Sequence, residues 1–415
     1  MIIASLAATT GCYKPTIANC QYACDNGDCP SGLVCSAGMC VGAIGETCSG
    51  SDAGMNDGRM TDVNLGEAGC AWSYNPSNID PCSFAEADGD WIVPSGGIFD
   101  TDQPGASGDF PPAQSIHLVL ESGNQQVVVV FVHTLNVMAG ATIAVSGSRP
   151  LLIYADTQAT VAGVIDYSNA VSTCPASRAA KNGQNGAGTS GGGGGGGGSY
   201  GFINIFSTLG GAHGGDGGAS GGDAGGMGGD EGSSAADDSL LPILTGCPGG
   251  NGGTGNGQTG GPGGFGGGAI QISTRGALAV SGQIHASGGG GAGKNNNGGG
   301  AGGGGSGGAI LLEGTTVALQ GTAFLCANGG GGGASQIPSA GELGHCNGTT
   351  AKGAISGGGD GGDGEANEFS AVIGQTGPVS IGGGGGGGGV GIVRANGVVT
   401  GGDSTHSSPT VSVNF

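Results

Sequence analysis

Two carboxylates, Asp156 and Asp166, lie in one alternating stretch, PLLIYADTQATVAGVIDYS, from Pro150 to Ser168. Two carboxyl groups facing one cleft at about 5–10 Å are what hydrolysis of a glycosidic bond requires. The alternative reading, exposed acids on a strand face, is preferred here. A second acidic set lies among glycines. Asp216, Asp223 and Asp230 recur every seven residues, and Asp360 and Asp363 sit in GGGDGGDGE. These five are weak candidates for calcium. Calcium-binding glycine repeats carry G-G-x-G-x-D-x-U-x at a period of nine, with a large apolar U. Here the period is seven and the apolar residue is missing, so solvated acids that keep glycine segments soluble are expected instead. SDAGMNDG, from Ser51 to Gly58, misses the EF-hand pattern because Asp57 falls where Gly is required. The six histidines (His117, His133, His213, His285, His345 and His406) show no metal-ligand spacing, so no metal site is expected.

Glycine richness also generates sequence matches without chemistry. GTSGG (Gly188–Gly192) and GGSGG (Gly304–Gly308) fit the G-x-S-x-G elbow of serine hydrolases. That elbow needs a helix behind the serine, which polyglycine cannot form. GGGGAGK (Gly288–Lys294) approaches a phosphate-binding loop, but Asn295 stands where Ser or Thr should hold magnesium. No catalytic residue and no cofactor is expected.

The elements that would position any such group are repeated strands. GGAIQISTRGALAVSGQIHASGGGG (Gly267–Gly291) is followed by GGAILLEGTTVALQGTAFLCANGGGG (Gly307–Gly332). Leu151 to Ser168 aligns with the first of these without a gap when 119 is added to each number. Leu151 then matches Ile270, Ile153 matches Ile272, Val161 matches Val280, Gly163 matches Gly282 and Ile165 matches Ile284. Asp156 and Asp166 fall on Arg275 and His285, so the two acids are not imposed by the repeat. Alternation marks half-buried strands, and a repeated strand unit stacks like on like. VVVVFV, Val127 to Val132, reads as a strand buried on both faces. The expected fold is all-β: a parallel β-helix or β-solenoid-like scaffold with long glycine-rich loops, preceded by a small disulfide-rich module. A β-sandwich is the alternative.

Of the 415 residues, 106 are Gly, so glycine tracts dominate the space between the strands. Ordering a backbone costs about 1–2 kcal/mol per residue, and Gly loses the most freedom. Two outcomes remain open. The tracts stay mobile, or they pack as extended polyglycine bonded backbone to backbone, where missing Cβ atoms permit close approach.

With 9 Lys and Arg against 30 Asp and Glu, the net charge is −21. This excludes nucleic acid and anionic membrane surfaces as partners, since both need clustered cations. Six of the 13 cysteines (Cys20, Cys24, Cys29, Cys35, Cys40 and Cys48) crowd into a segment too polar and small for a core. Their gaps of three, four, five, four and seven residues lack C-x-x-C pairing and nearby His, which favours disulfides over zinc. Cys70, Cys82, Cys174, Cys247, Cys326 and Cys346 complete the disulfide candidates. Cys12 follows MIIASLAATTG, which reads as the tail of a signal peptide. The ending TTGC resembles the lipobox of bacterial lipoproteins, and with Cys12 lipidated twelve cysteines are left to pair. No stretch of about 20 apolar residues follows, so membrane attachment is expected only through the lipid. The organisation expected is a signal-peptide remnant (1–11), a cysteine-rich module (12–50), a polar linker (51–90) and a glycine-rich β-region (91–415).

The order of GSRPLLIYA…VAGVIDYS, LLPILTGCPGGNGG, GGGGSGGAILLEGTTVALQG…ANGGGGG and GGGGGGGGVGIVRANG resembles glycine-rich, repeat-containing surface or secreted lipoproteins of environmental Gram-negative bacteria. The opening GCYKPTIANCQYAC…CPSGLVCSAGMC resembles the cysteine-rich start of such proteins. The resemblance implies an outer-membrane, cell-surface or extracellular location and carries no activity. The expected role is structural or adhesive and non-enzymatic, with an unidentified surface or matrix partner, a polysaccharide among the candidates. The alternatives are a carbohydrate-binding or carbohydrate-cleaving protein and a calcium-dependent matrix protein.

Overall fold

In the computed structural model the chain divides into two compact units, Met1–Glu67 and Ala68–Phe415. The structure describes residues 34–36, 39–41, 72–84, 87, 89–104, 110–121, 125–171, 174, 179–187, 190, 193–199, 217, 219–221, 225–232, 239–294, 298–337, 339–367, 369–401 and 405–414. Cys12, Cys20, Cys24, Cys29, Cys48, Cys70, Asp216 and Asp223 lie outside the described residues. In the first unit, β1 (Val34–Ser36) and β2 (Met39–Val41) form an antiparallel hairpin that sets Cys35 opposite Cys40 in register.

The second unit holds the remaining described strands. They run β3 (Trp91–Val93), β4 (Gly96–Asp100), β5 (Ile116–Leu120), β6 (Gln126–Val137), β7 (Thr142–Ser146), β8 (Leu151–Val161) and β9 (Val164–Asp166). After β10 (Ser220–Gly221) come β11 (Ala269–Thr274), β12 (Ala277–Val280), β13 (Gln283–His285), β14 (Ala309–Leu319) and β15 (Phe324–Cys326). The last are β16 (Gly377–Val379), β17 (Ile392–Thr400), β18 (Ser407–Ser408) and β19 (Ser412–Asn414). A nine-stranded sheet has the order β19-β17-β14-β11-β8-β6-β3, with β12 between β14 and β8 and β5 on β6; a six-stranded sheet runs β18-β15-β13-β9-β7-β4. Every pair in both sheets is parallel except β5–β6.

The 119-residue offset read from the sequence is the pairing register itself. Ile270 lies beside Leu151, Ile272 beside Ile153, Val280 beside Val161 and Ile284 beside Ile165. Like therefore stacks on like. Val130, Ile153, Ile272, Leu312 and Ala395 form one buried ladder across five strands. They face Phe99, Ile143, Ile165, Ile284 and Leu325 of the six-stranded sheet across the main core. The alternate positions of the same strands, among them Val127, Val129, Leu152, Tyr154 and Leu311, are buried on the other face under Trp72, Ile79, Phe84, Leu240 and Ile243. Burial on both faces is why Val127–Val132 is uninterruptedly apolar, as parallel sheets require.

This arrangement corrects the expected fold class. The chain is neither a β-helix or β-solenoid bearing glycine loops nor a β-sandwich. It is a strand-rich, nearly helix-free protein of two parallel sheets, with only two single-turn 3-10 helices among the described residues. A sandwich would pair its strands antiparallel. A coil of 20-residue rungs would bring each strand pair promptly to the next, yet β9 ends at Asp166 and β11 begins at Ala269, while β15 ends at Cys326 and β17 begins at Ile392. The described glycine segments between them are not a set of loops. They form a third layer with its own bonding.

In that layer the hydrogen bonds repeat every third residue and, apart from local turns such as Gly255–Gln258, run between segments. Gly195 and Gly198 donate to the carbonyls of Ala301 and Gly304; Ala301, Gly304 and Gly307 donate to Gly383, Gly386 and Gly389; Gly386 and Gly389 donate back to Gly195 and Gly198. A second closed set follows the same step. Gly246, Gly249 and Gly252 donate to Gly267, Gly264 and Gly261, and Gly261, Gly264 and Gly267 donate to Gly300, Gly303 and Ser306. Gly300, Gly303 and Ser306 in turn donate to Gly253, Gly250 and Cys247. Three residues per turn without internal hydrogen bonds is the polyproline II helix, whose backbone groups must find partners sideways. Here neighbouring helices supply them. A Cβ on Gly195 would overlap the carbonyl oxygen of Gly250, and one on Gly304 would overlap that of Gly330. Only glycine allows this spacing. Disulfides tie the layer down, joining Cys174 to Cys247 and Cys326 to Cys346, each with Cα atoms 5.1 Å apart.

Candidate functional site

The two carboxylates singled out for hydrolysis do not meet. Asp156 belongs to β8 in the nine-stranded sheet, and its Oδ1 lies 2.6 Å from the guanidinium of Arg275, just past β11. Asp166 ends β9 in the six-stranded sheet, and its Oδ1 lies 3.8 Å from Nδ1 of His285 at the end of β13. Each acid is thus matched with a base one repeat further along. The geometry offers charge pairing along the stack, not a pair of carboxyl groups across a cleft.

The six-stranded sheet builds the more distinctive cluster. Asp166, His285 and Cys326 occupy one register line across β9, β13 and β15. Cys346 joins Cys326, and the ligand atoms of His285, Cys326 and Cys346 all lie within 4.8 Å of one another. His285 and Cys346 are half-buried and Cys326 is buried. Nε2 of His285 stands 3.0 Å from Oε1 of Gln283. Burial lowers the pKa of His285, with the Asp166 carboxylate opposing it, so the neutral ring is favoured. Histidines scattered along the chain therefore gave no warning, because the third dimension supplies the neighbours.

A second polar centre lies on the outer face of the nine-stranded sheet. Tyr154, Ser273, Glu313 and Asn396 follow one register line across β8, β11, β14 and β17. Glu313 is buried and accepts hydrogen bonds from five donors: the backbone N–H and Oγ of Ser77, Nε2 of Gln271, Oγ of Ser273 and Nδ2 of Asn396. Tyr154 donates to the carbonyl of Ser77, and Tyr74 donates to that of Thr274. Burial first and the Glu313 charge second hold both phenols protonated, well above their usual range. A carboxylate with its lone pairs so occupied is a clasp. It fastens residues 72–84, read from the sequence as linker, onto the sheet. Glu313 escaped sequence reasoning, although the repeat places it opposite Ser273 and so marks it as unit-specific.

The remaining candidates have local roles. Asp360 accepts from the backbone N–H groups of Ser356 and Gly357, while Asp363 accepts from Gly353 and meets Lys352 Nζ at 2.7 Å. Asp230 is exposed, and its carbonyl accepts from Lys181. Ser306 of the GGSGG match is buried and accepts from the Cys247 N–H. Cys82 is also disulfide-bonded. Two carboxyl groups that the sequence did not flag are buried with few partners. Desolvation raises Glu365 to about 8, and Val390 N–H donates to it. Desolvation raises Glu121 to about 7, and neither of its carboxyl oxygens has a hydrogen-bond partner.

An open groove of about 690 Å³ crosses the outer face of the glycine layer, lined by Asn182, Gln184, Asn185, Asn251, Thr254 and Thr259 among others. Oδ1 of Asn182 accepts from the Asn251 N–H, Oδ1 of Asn185 from the Thr254 N–H, and Oδ1 of Asn251 from the Gly263 N–H. Each amide is thereby oriented, and among the described residues its NH₂ group has no hydrogen-bond partner.

No protein-family model matches the chain, and no curated protein or solved structure shows significant similarity to it. Among the described residues no helix is long and apolar enough to cross a membrane.

Proposed function

We propose that the chain is a non-enzymatic structural or adhesive protein of the bacterial envelope, exported and either held at the cell surface by lipid on Cys12 or released. The observation that carries this reading is the glycine layer. An interior made of backbone alone has no side chains with which to position reacting groups, but it is stiff and presents a polar outer face. Disulfides at Cys174–Cys247 and Cys326–Cys346 fit an oxidising compartment. Three of the acidic groups are engaged with neighbours: Asp156 with Arg275, Asp363 with Lys352, and Glu313 with its five donors.

A carbohydrate-binding reading is favoured by one observation, the oriented amides of the groove, because amide NH₂ groups suit the hydroxyl and ring oxygens of a glycan. A panel of surface polysaccharides incubated with the purified chain tests both sides. Retention of the protein without release of new reducing ends is the expected result. Release of oligosaccharide ends would instead make the chain an enzyme. Absence of retention, together with failure of an external protease to reach the chain on intact cells, would remove the surface-adhesive role.

A further inference from the structure

We infer that His285, Cys326 and Cys346 form a binding site for a zinc-like divalent metal when the Cys326–Cys346 disulfide is reduced. Three ligands of the kind zinc prefers converge from β13, β15 and the following turn, with their ligand atoms within 4.8 Å of one another. Two thiolates and an imidazole select zinc or a similarly soft ion over calcium and magnesium, which require oxygen. The surroundings resemble those of a built site. Asp166 stands 3.8 Å from Nδ1 of His285, and Gln283 stands 3.0 Å from Nε2. With Nδ1 turned to the metal, Nε2 keeps the Gln283 acceptor, the outer support that fixes a ligating histidine, and with Nε2 turned to it the Asp166 carboxylate supports the ring by charge alone. Half-burial of His285 and Cys346 leaves a route to the solvent, while Cys326 anchors the site within the sheet.

The chemistry balances with a dithiol as reductant. It supplies two electrons and two protons, the S–S bond breaks, two cysteine thiols form, and the dithiol closes to its own disulfide. The metal then displaces both thiol protons to the solvent and binds two thiolates and one imidazole nitrogen, with water as the fourth ligand. The oxidised chain has no free thiolates at this place. The site is therefore open in reducing surroundings and closed in oxidising ones.

Two experiments on the full chain test this. First, the dithiol-reduced protein is titrated with Zn²⁺ beside the Cys326→Ser/Cys346→Ser double variant, so that binding by the other cysteines cancels. The reduced wild type takes up one more equivalent, and the His285 imidazole resonance, identified with His285→Gln, shifts as it binds. His285→Gln and Asp166→Asn each weaken that equivalent by about tenfold or more. Equal uptake by wild type and double variant, or an unmoved His285 signal, overturns the site. Second, Cys346→His leaves Cys326 as a free thiol beside two imidazoles and needs no reductant, so the other disulfides stay intact. It binds one Zn²⁺ as isolated and loses that capacity when His285→Gln is added. If Cys346→His takes up no Zn²⁺, the inference fails even where reduction has unfolded the wild type.

Discussion

Asp156 and Arg275 are 119 residues apart in sequence and form an ion pair at 2.6 Å. The same offset brings Asp166 to His285, and it equals the register in which β11 and β13 lie on β8 and β9. The repeat therefore sets charge pairing as well as apolar stacking. Both side chains are half-buried, so removing one leaves the other's charge without its partner. Arg275→Ala is expected to cost roughly 1–3 kcal/mol, measured by urea unfolding. The double variant with Asp156→Ala should cost less than the sum of the two single changes.

The glycine layer makes a sharper claim about size. Gly304→Ala places a methyl group against the carbonyl of Gly330 and is expected to destabilise by about 1–3 kcal/mol or more, despite adding a single carbon. Gln184→Ala, on the exposed face of the same layer, should stay within about 0.5 kcal/mol. Equal effects at the two positions would contradict the packing described.

Glu313 should behave as a clasp. Its removal leaves the N–H and hydroxyl of Ser77 and the polar groups of Gln271, Ser273 and Asn396 without their common acceptor. Glu313→Ala is expected to cost at least about 3 kcal/mol, since bonds to a charged acceptor contribute about 1.5–3 kcal/mol each. Limited proteolysis should then cut within residues 72–84 faster than in the wild type.

The stability that Glu365 and Glu121 contribute should fall as pH rises. Burial lifts Glu365 to about 8 and Glu121 to about 7, from 4.5. Above pH 4.5 the unfolded chain releases protons that the folded chain retains, so this contribution declines between about pH 4.5 and 8 and then levels off. Glu365→Gln keeps an acceptor for Val390 and removes the titration. Its melting temperature should decline less over that interval, with a gain at pH 8 on the order of a few kcal/mol. Equal changes of melting temperature in the wild type and Glu365→Gln across that range would contradict the buried, protonated state of Glu365.

The strands were legible because alternation and the ungapped repeat state both the elements and their register. The architecture was not, because the sequence signal says that like stacks on like but not what the chain does between stackings. The glycine segments did contain a signal, in triplets rather than in glycine content. KNGQNG at 181–186 has one glycine in three, and the buried residue is Gly183, while Lys181, Asn182, Gln184 and Asn185 are exposed. GGNGGT at 249–254 has two in three, and Gly193–Gly198 has nothing else and is buried throughout. The number of glycines per triplet follows the number of sides on which a helix is packed. The cluster at His285 was beyond reach for a different reason. Register on β9, β13 and β15 puts Asp166 and Cys326 beside it, but only the fold and the Cys326–Cys346 link bring Cys346 there.

The described glycine segments form an ordered, hydrogen-bonded layer. Amide hydrogen exchange over residues 193–199, 300–308 and 382–391 measures this directly. Each of these segments donates to another in the closed set that includes Gly195, Gly304 and Gly386. Their amides should be protected to the same degree as those of β8, β11 and β14 and should open together with them. Exchange at the rate of an unstructured chain, with the strands still protected, would contradict the account.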